Sequence, residues 1–140
     1  MRSGLPLLHL APILLTVALL LGAASGSGKR VPSGSWGGRG VGMNVTEEGA
    51  SIEFDCAHAS LQGAIALEAD GSLDARGTYF QERPGPQKVE EEEKGRAARF
   101  TGRLDGSEIQ LTVTFADDQQ EEVGSYSLVL NRAPRLRKCR

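Results

Sequence analysis

Residues 97–115, AARFTGRLDGSEIQLTVTF, constrain this chain more than any other stretch. Asp105-Gly106 lies between two runs that alternate apolar and polar residues. An Asp-Gly pair suits a type I′ hairpin turn, whose two central residues both need positive φ. With that turn, Leu104 faces Ser107, Gly102 faces Ile109, Phe100 faces Leu111 and Ala98 faces Val113, so the apolar residues share one side. Arg103 then lies opposite Glu108, and Thr101 opposite Gln110, on the other side. Side chains alternate with period two along a strand, so a hairpin with one oily face predicts an antiparallel sheet that must cover it.

The same rhythm runs through the rest of the chain. Val41, Met43 and Val45 alternate with Gly42, Asn44 and Thr46. A turn at Glu48-Gly49 sets Val45 opposite Ile52, Met43 opposite Phe54 and Val41 opposite Cys56. A three-residue loop, Ala69-Asp70-Gly71 with Gly71 left-handed, joins strands over 61–68 and 72–80. It sets Leu67 against Leu73, Ile65 against Ala75, Gly63 against Gly77 and Leu61 against Tyr79. Residues 123–131 give a last strand with Tyr126, Leu128 and Leu130 on one face. Residues 81–96 break the pattern, because Pro84-Gly85-Pro86 cannot continue a ladder and the acidic run 90–93 repels itself, and they predict a long charged loop. No long segment has a helical period. Seven or eight strands with one apolar face each predict an all-β chain: a small antiparallel up-and-down barrel, with a β-sandwich as the alternative.

Arg2 is the only charge before Lys29, and residues 13–24 form a short apolar core that gives way to small residues. That pattern predicts a secretory signal peptide over 1–25, a flexible lead-in over 26–35 and a single barrel domain over 36–140. The rival reading is an uncleaved membrane anchor, which Pro6, His9 and Pro12 argue against. Localisation is therefore expected to be secreted or periplasmic, with membrane contact only through an uncleaved signal. Cys56 and Cys139 both lie in the exported part, and an oxidising compartment makes their disulfide the default. Closing so long a loop contributes roughly 4 kcal/mol in the chain-entropy model. Taking Arg2 from the 16 basic residues leaves 15 against 18 acidic ones, so the mature chain is mildly acidic and carries no nucleic-acid footprint.

Trp36-Gly37-Gly38, Asp55-Cys56-Ala57-His58, Gly77-Thr78, Phe100-Thr101-Gly102 and the late Cys139 resemble a pattern of small exported bacterial β-rich proteins of unassigned function. Gly34-Ser35-Trp36 also resembles the Gly-x-Trp of lipocalin-type barrels. That resemblance implies barrel closure, with Trp36 sealing one end and a late arginine, Arg132 or Arg135, packed over it.

Candidate sites are few. Cys56 and His58 have the types of a nucleophile–base pair, but the disulfide consumes Cys56 and leaves His58 as a turn residue. His58 is the only histidine after the leader, so neither a Ser-His-Asp set nor a zinc site can be assembled, and no catalytic, cofactor or metal residue is expected. Asp117-Asp118 and Glu121-Glu122 lack calcium-loop spacing and read as a solvated loop. Asn44-Val45-Thr46 is a glycosylation sequon on an outward position. Gly63, Ala75, Gly77, Gly102 and Gly124 fall on the inward track. They either let strands bend where a small barrel closes, or leave an interior void for a small apolar ligand. These features predict a non-catalytic exported binding or interaction module whose partner is a protein or a small apolar ligand. The alternatives are a carrier of a lipophile inside the barrel and an inhibitor of secreted proteases acting through the 81–96 loop or the N-terminal lead-in.

Overall fold

The structure, a computed structural model, describes residues 4, 28–85 and 94–139. The expected leader apart from Gly4, residues 86–93 of the expected loop and Arg140 lie outside these. Eight strands follow one another: β1 Gly34–Gly38, β2 Val41–Thr46, β3 Gly49–Phe54, β4 Ala57–Gln62, β5 Ser72–Gln81, β6 Arg96–Asp105, β7 Glu108–Phe115 and β8 Glu122–Leu130. Each pairs antiparallel with the next, and β8 returns to β1 through Trp36↔Leu130 and Gly37↔Val129. The result is a closed up-and-down barrel rather than a sandwich, and closure leaves no edge strand.

The apolar faces point where the alternation places them. Trp36, Val41, Ile52, Phe54, Phe100, Ile109, Val113 and Leu128 are the largest fully buried side chains. No polar or charged residue is buried among the described residues. The interior of an eight-stranded barrel is about as wide as side chains of this size can fill.

Three hairpins keep the expected faces but shift their register by two residues. At β6–β7 the turn centres are Gly106 and Ser107, not Asp105 and Gly106, so Leu104 faces Ile109 and Phe100 faces Val113. Only Gly106 has positive φ there (61°), which fits a II′ turn with glycine first. Arg103 consequently faces Gln110 rather than Glu108, and its guanidinium reaches Asp70 instead. At β2–β3 the turn is Glu47-Glu48, and Met43 faces Ile52. Gly49 is drawn into β3, where a Cβ would lie 2.0 Å from the Leu61 carbonyl oxygen. A shift of two preserves which side each residue faces, so burial alone cannot separate these registers.

The third shift redraws a strand. The loop 69–71 forms as expected, with Glu68 N–H donating to the Ser72 carbonyl (2.8 Å) and Gly71 at φ 85°. The chain before it does not continue the ladder. β4 instead starts at Ala57, directly after an Asp55-Cys56 turn, and sets Leu61 against Gly77 and Ala59 against Tyr79. Cys56 takes the left-handed conformation (φ 56°), which a non-glycine residue adopts at a cost of about 1–2 kcal/mol. Freed from β5, residues 65–67 pair with residues 29–31 through Val31 N–H to Ile65 O (2.9 Å) and Leu67 N–H to Lys29 O (2.8 Å). Residues 29–31 of the lead-in expected to be flexible are thus pinned across one barrel end, with Val31 buried.

Candidate functional site

The inward track holds less room than its small residues suggest. Gly63 lies in the exposed loop after β4, with nothing within 4 Å of a would-be Cβ, so it does not line the interior. At Gly77 a Cβ would meet the Ser60 carbonyl at 2.4 Å and the Phe100 ring at 3.2 Å. At Gly102 it would meet the Gln110 carbonyl at 2.0 Å, and at Gly124 the Tyr126 hydroxyl at 2.9 Å. Ala75 packs against the core. Gly77, Gly102 and Gly124 admit neighbouring backbone and rings, which is close packing rather than a vacancy. Trp36 is buried, and its indole N–H donates to the Pro32 carbonyl (3.1 Å), so the lead-in supplies the contact at that end. Arg132 and Arg135 are exposed.

The other end is built by the C-terminal tail, which leaves β8 at Asn131 and runs outside the barrel along β1. Gly37 and Gly42 face each other in the β1–β2 ladder. A Cβ on Gly37 would lie 2.1 Å from the Arg132 carbonyl oxygen, and one on Gly42 2.9 Å from Pro134 Cβ. The two glycines therefore form a floor on which the tail rests directly. Arg135 then bonds through its backbone, N–H to Gly38 O (3.0 Å) and O from Gly40 N–H (2.8 Å), beside Arg39 in a parallel bridge. Arg137 N–H donates to Asp55 Oδ1 (2.5 Å). Cys139 closes the path by a disulfide to Cys56, Cα to Cα 4.9 Å.

Lys138 is the second fastening. Its Nζ contacts Glu53 Oε2 and lies 3.2 and 3.4 Å from the Glu82 oxygens and 3.3 Å from the Phe54 carbonyl oxygen. Partial burial opposes its charge, yet the hydrogen bonds it donates to Glu53 and Glu82 outweigh that and leave its pKa raised. Glu82 also meets His58 Nδ1 at 3.2 Å, and the His58 ring stacks on Phe80 at 4.9 Å between centroids. His58 is a β4 residue rather than a turn residue, and Cys56 is in the disulfide, so the sequence pair does not form a nucleophile and base. Beneath this end, Phe54 sits 4.9 Å from Tyr126 and 5.7 Å from Tyr79 between ring centroids, an aromatic layer under the turns.

Between the β1–β2 turn, the Asp55-Cys56 turn and the tail lies a cleft of about 510 Å3, lined by Arg39, Gly40, Asp55, Arg135, Leu136 and Arg137. None of its three arginines has a carboxylate partner among the described residues. Three of the four arginines on the strands are spent otherwise: Arg96 pairs with Asp117 and lies over the Phe115 ring, Arg99 pairs with Asp74, and Arg103 pairs with Asp70. Asp117 is thus an ion-pair partner, and no trio of His, Cys, Asp or Glu gathers to hold a metal among the described residues. Sequence reasoning reached Cys56, Cys139 and Arg135 but missed Arg39 and Arg137. The signal for them was the facing pair of outward glycines, which marks where another segment must lie.

Comparison with protein families, with characterised proteins and with solved structures returns no match to this chain.

Proposed function

We propose that the protein is an exported, non-catalytic binding module that meets its partner on the outside of the barrel, at the end where the tail is clipped. The observation that carries this reading is the division of chemistry. The interior side chains are apolar, whereas unpaired cationic groups gather around one cleft outside. A polar group buried in the barrel would need a partner there, so recognition through charge belongs on the outer surface. The disulfide and Lys138 hold that surface in shape before a partner arrives, which lowers the ordering cost of binding. The apolar segment at 13–24 and the cysteine pair support export. A broad hydrolase screen on the purified protein tests the non-catalytic part. No turnover is expected, and turnover that disappears in His58→Ala would overturn the reading.

A further inference from the structure

We propose that the Arg39–Arg135–Arg137 cleft binds a small, multiply charged phosphate ligand, of the charge and size of a diphosphate. This deepens the binding-module reading and rests on it. Arg39 and Arg135 are neighbours in a parallel bridge, which sets their backbones about 5 Å apart. Arg135 and Arg137 flank Leu136, which is half-buried while both arginines are exposed. Three guanidinium groups therefore start from fixed points around one opening of about 510 Å3, a volume suited to a small molecule. Their backbones are held by Gly38, Gly40 and Asp55 rather than by the arginines' own side chains, so the charged heads remain available.

Asp55 is the one carboxylate in the lining, and its Oδ1 already accepts from the Arg137 amide. Three positive charges against one leave an excess that a single carboxylate would not neutralise. A guanidinium takes two oxygens of an oxyanion side by side. A planar carboxylate offers one such edge, whereas two joined tetrahedral phosphates present oxygens in several directions at once. The arrangement fits a diphosphate better than a mono- or dicarboxylate.

Isothermal titration of the intact, oxidised protein with inorganic pyrophosphate tests this directly, with inorganic phosphate and citrate as comparison probes. Pyrophosphate is expected to bind saturably, more tightly than either, and more weakly as salt screens the charges. Arg39→Gln and Arg137→Gln should each weaken it about three- to tenfold, less than a buried charged contact because these groups are exposed. Asp55→Asn keeps an acceptor for the Arg137 amide and should tighten binding. Arg76→Gln, on β5 away from the cleft, should leave it unchanged, and melting temperatures verify that each variant folds. Absence of saturable pyrophosphate binding, citrate binding as tight as pyrophosphate, or equal weakening by Arg76→Gln and Arg39→Gln overturns the proposal. Those failures concern the ligand alone, whereas turnover in the hydrolase screen would remove the binding-module reading itself.

Discussion

Gly37 and Gly42 have no side chain to hold the tail away, and that absence decides where the last residues lie. Gly37→Ala places a methyl 2.1 Å from the Arg132 carbonyl oxygen, far inside contact distance, so the tail must lift. The expected cost is about 1–3 kcal/mol, the usual range for overpacking. Its signature is faster amide exchange at Arg135 and Arg137. Gly63→Ala is the matched control. It carries the penalty of a positive φ (81°) but meets no atom within 4 Å, so tail exchange should not change. Equal tail exchange in the two variants would contradict the glycine floor. At the same scale, Asp70 fixes the start of β5. The Ser72 hydroxyl and amide donate to its carboxylate and, with Arg103, hold its pKa down to about 2 from 3.8. Arg99 and Arg96 lower Asp74 and Asp117 in the same sense. A folded pKa below the unfolded one stabilises fully above about pH 4, and that contribution disappears as pH falls toward 2. The gap in urea midpoint between the wild type and Asp70→Ala should therefore close between pH 4 and pH 2. A gap that stays constant over that window would contradict this role for Asp70.

Among the elements, the hairpins and the tail were legible to different depths. Alternation marks which face of a strand is oily, and Val41, Met43, Val45, Phe100, Leu111 and Val113 all face inward as that pattern requires. Register is another matter, because only the turn chooses between pairings two residues apart. Asp105-Gly106 looked like a I′ turn, but Gly106-Ser107 supplies a II′ turn with one glycine, and both satisfy the same burial. The Asp55-Cys56 turn carries no glycine or asparagine, so β4 was expected to start four residues late. The tail has no alternation, and its docking could be read only from glycines on other strands. What the sequence did mark was its end, Cys139. Reducing the Cys56–Cys139 disulfide opens a loop of sequence separation 83, worth up to about 4.5 kcal/mol in the chain-entropy model. Reduction should lower the urea midpoint and release the amides of Arg135 and Arg137 to exchange, while the β6–β7 ladder stays protected. Loss of protection throughout the barrel would mean that the disulfide holds more than the tail.

At the scale of the molecule, closure and clip together separate an inert interior from a charged exterior. Barrel formation followed from eight one-sided strands, each joined to the next, and the β1–β8 ladder completes it. The cleft could not be read from the chain in the same way. Arg39 lies in the β1–β2 turn and Arg137 is 98 positions later, and only the tail's path over Gly37 and Gly42 brings them to one opening. The small residues on the inward track left strand bending and an interior void both open, because sequence does not tell a gap from a close approach. Nuclear magnetic resonance of the 15N-labelled, oxidised protein, titrated in parallel with pyrophosphate and with laurate, decides between outside and inside. The predicted result is movement of the Gly38, Arg39, Gly40 and Arg137 amides with pyrophosphate, and no saturable movement of Ile52, Phe100, Ile109 or Leu128 with laurate. Saturable laurate shifts at those interior positions, with the cleft amides silent toward pyrophosphate, would contradict the account.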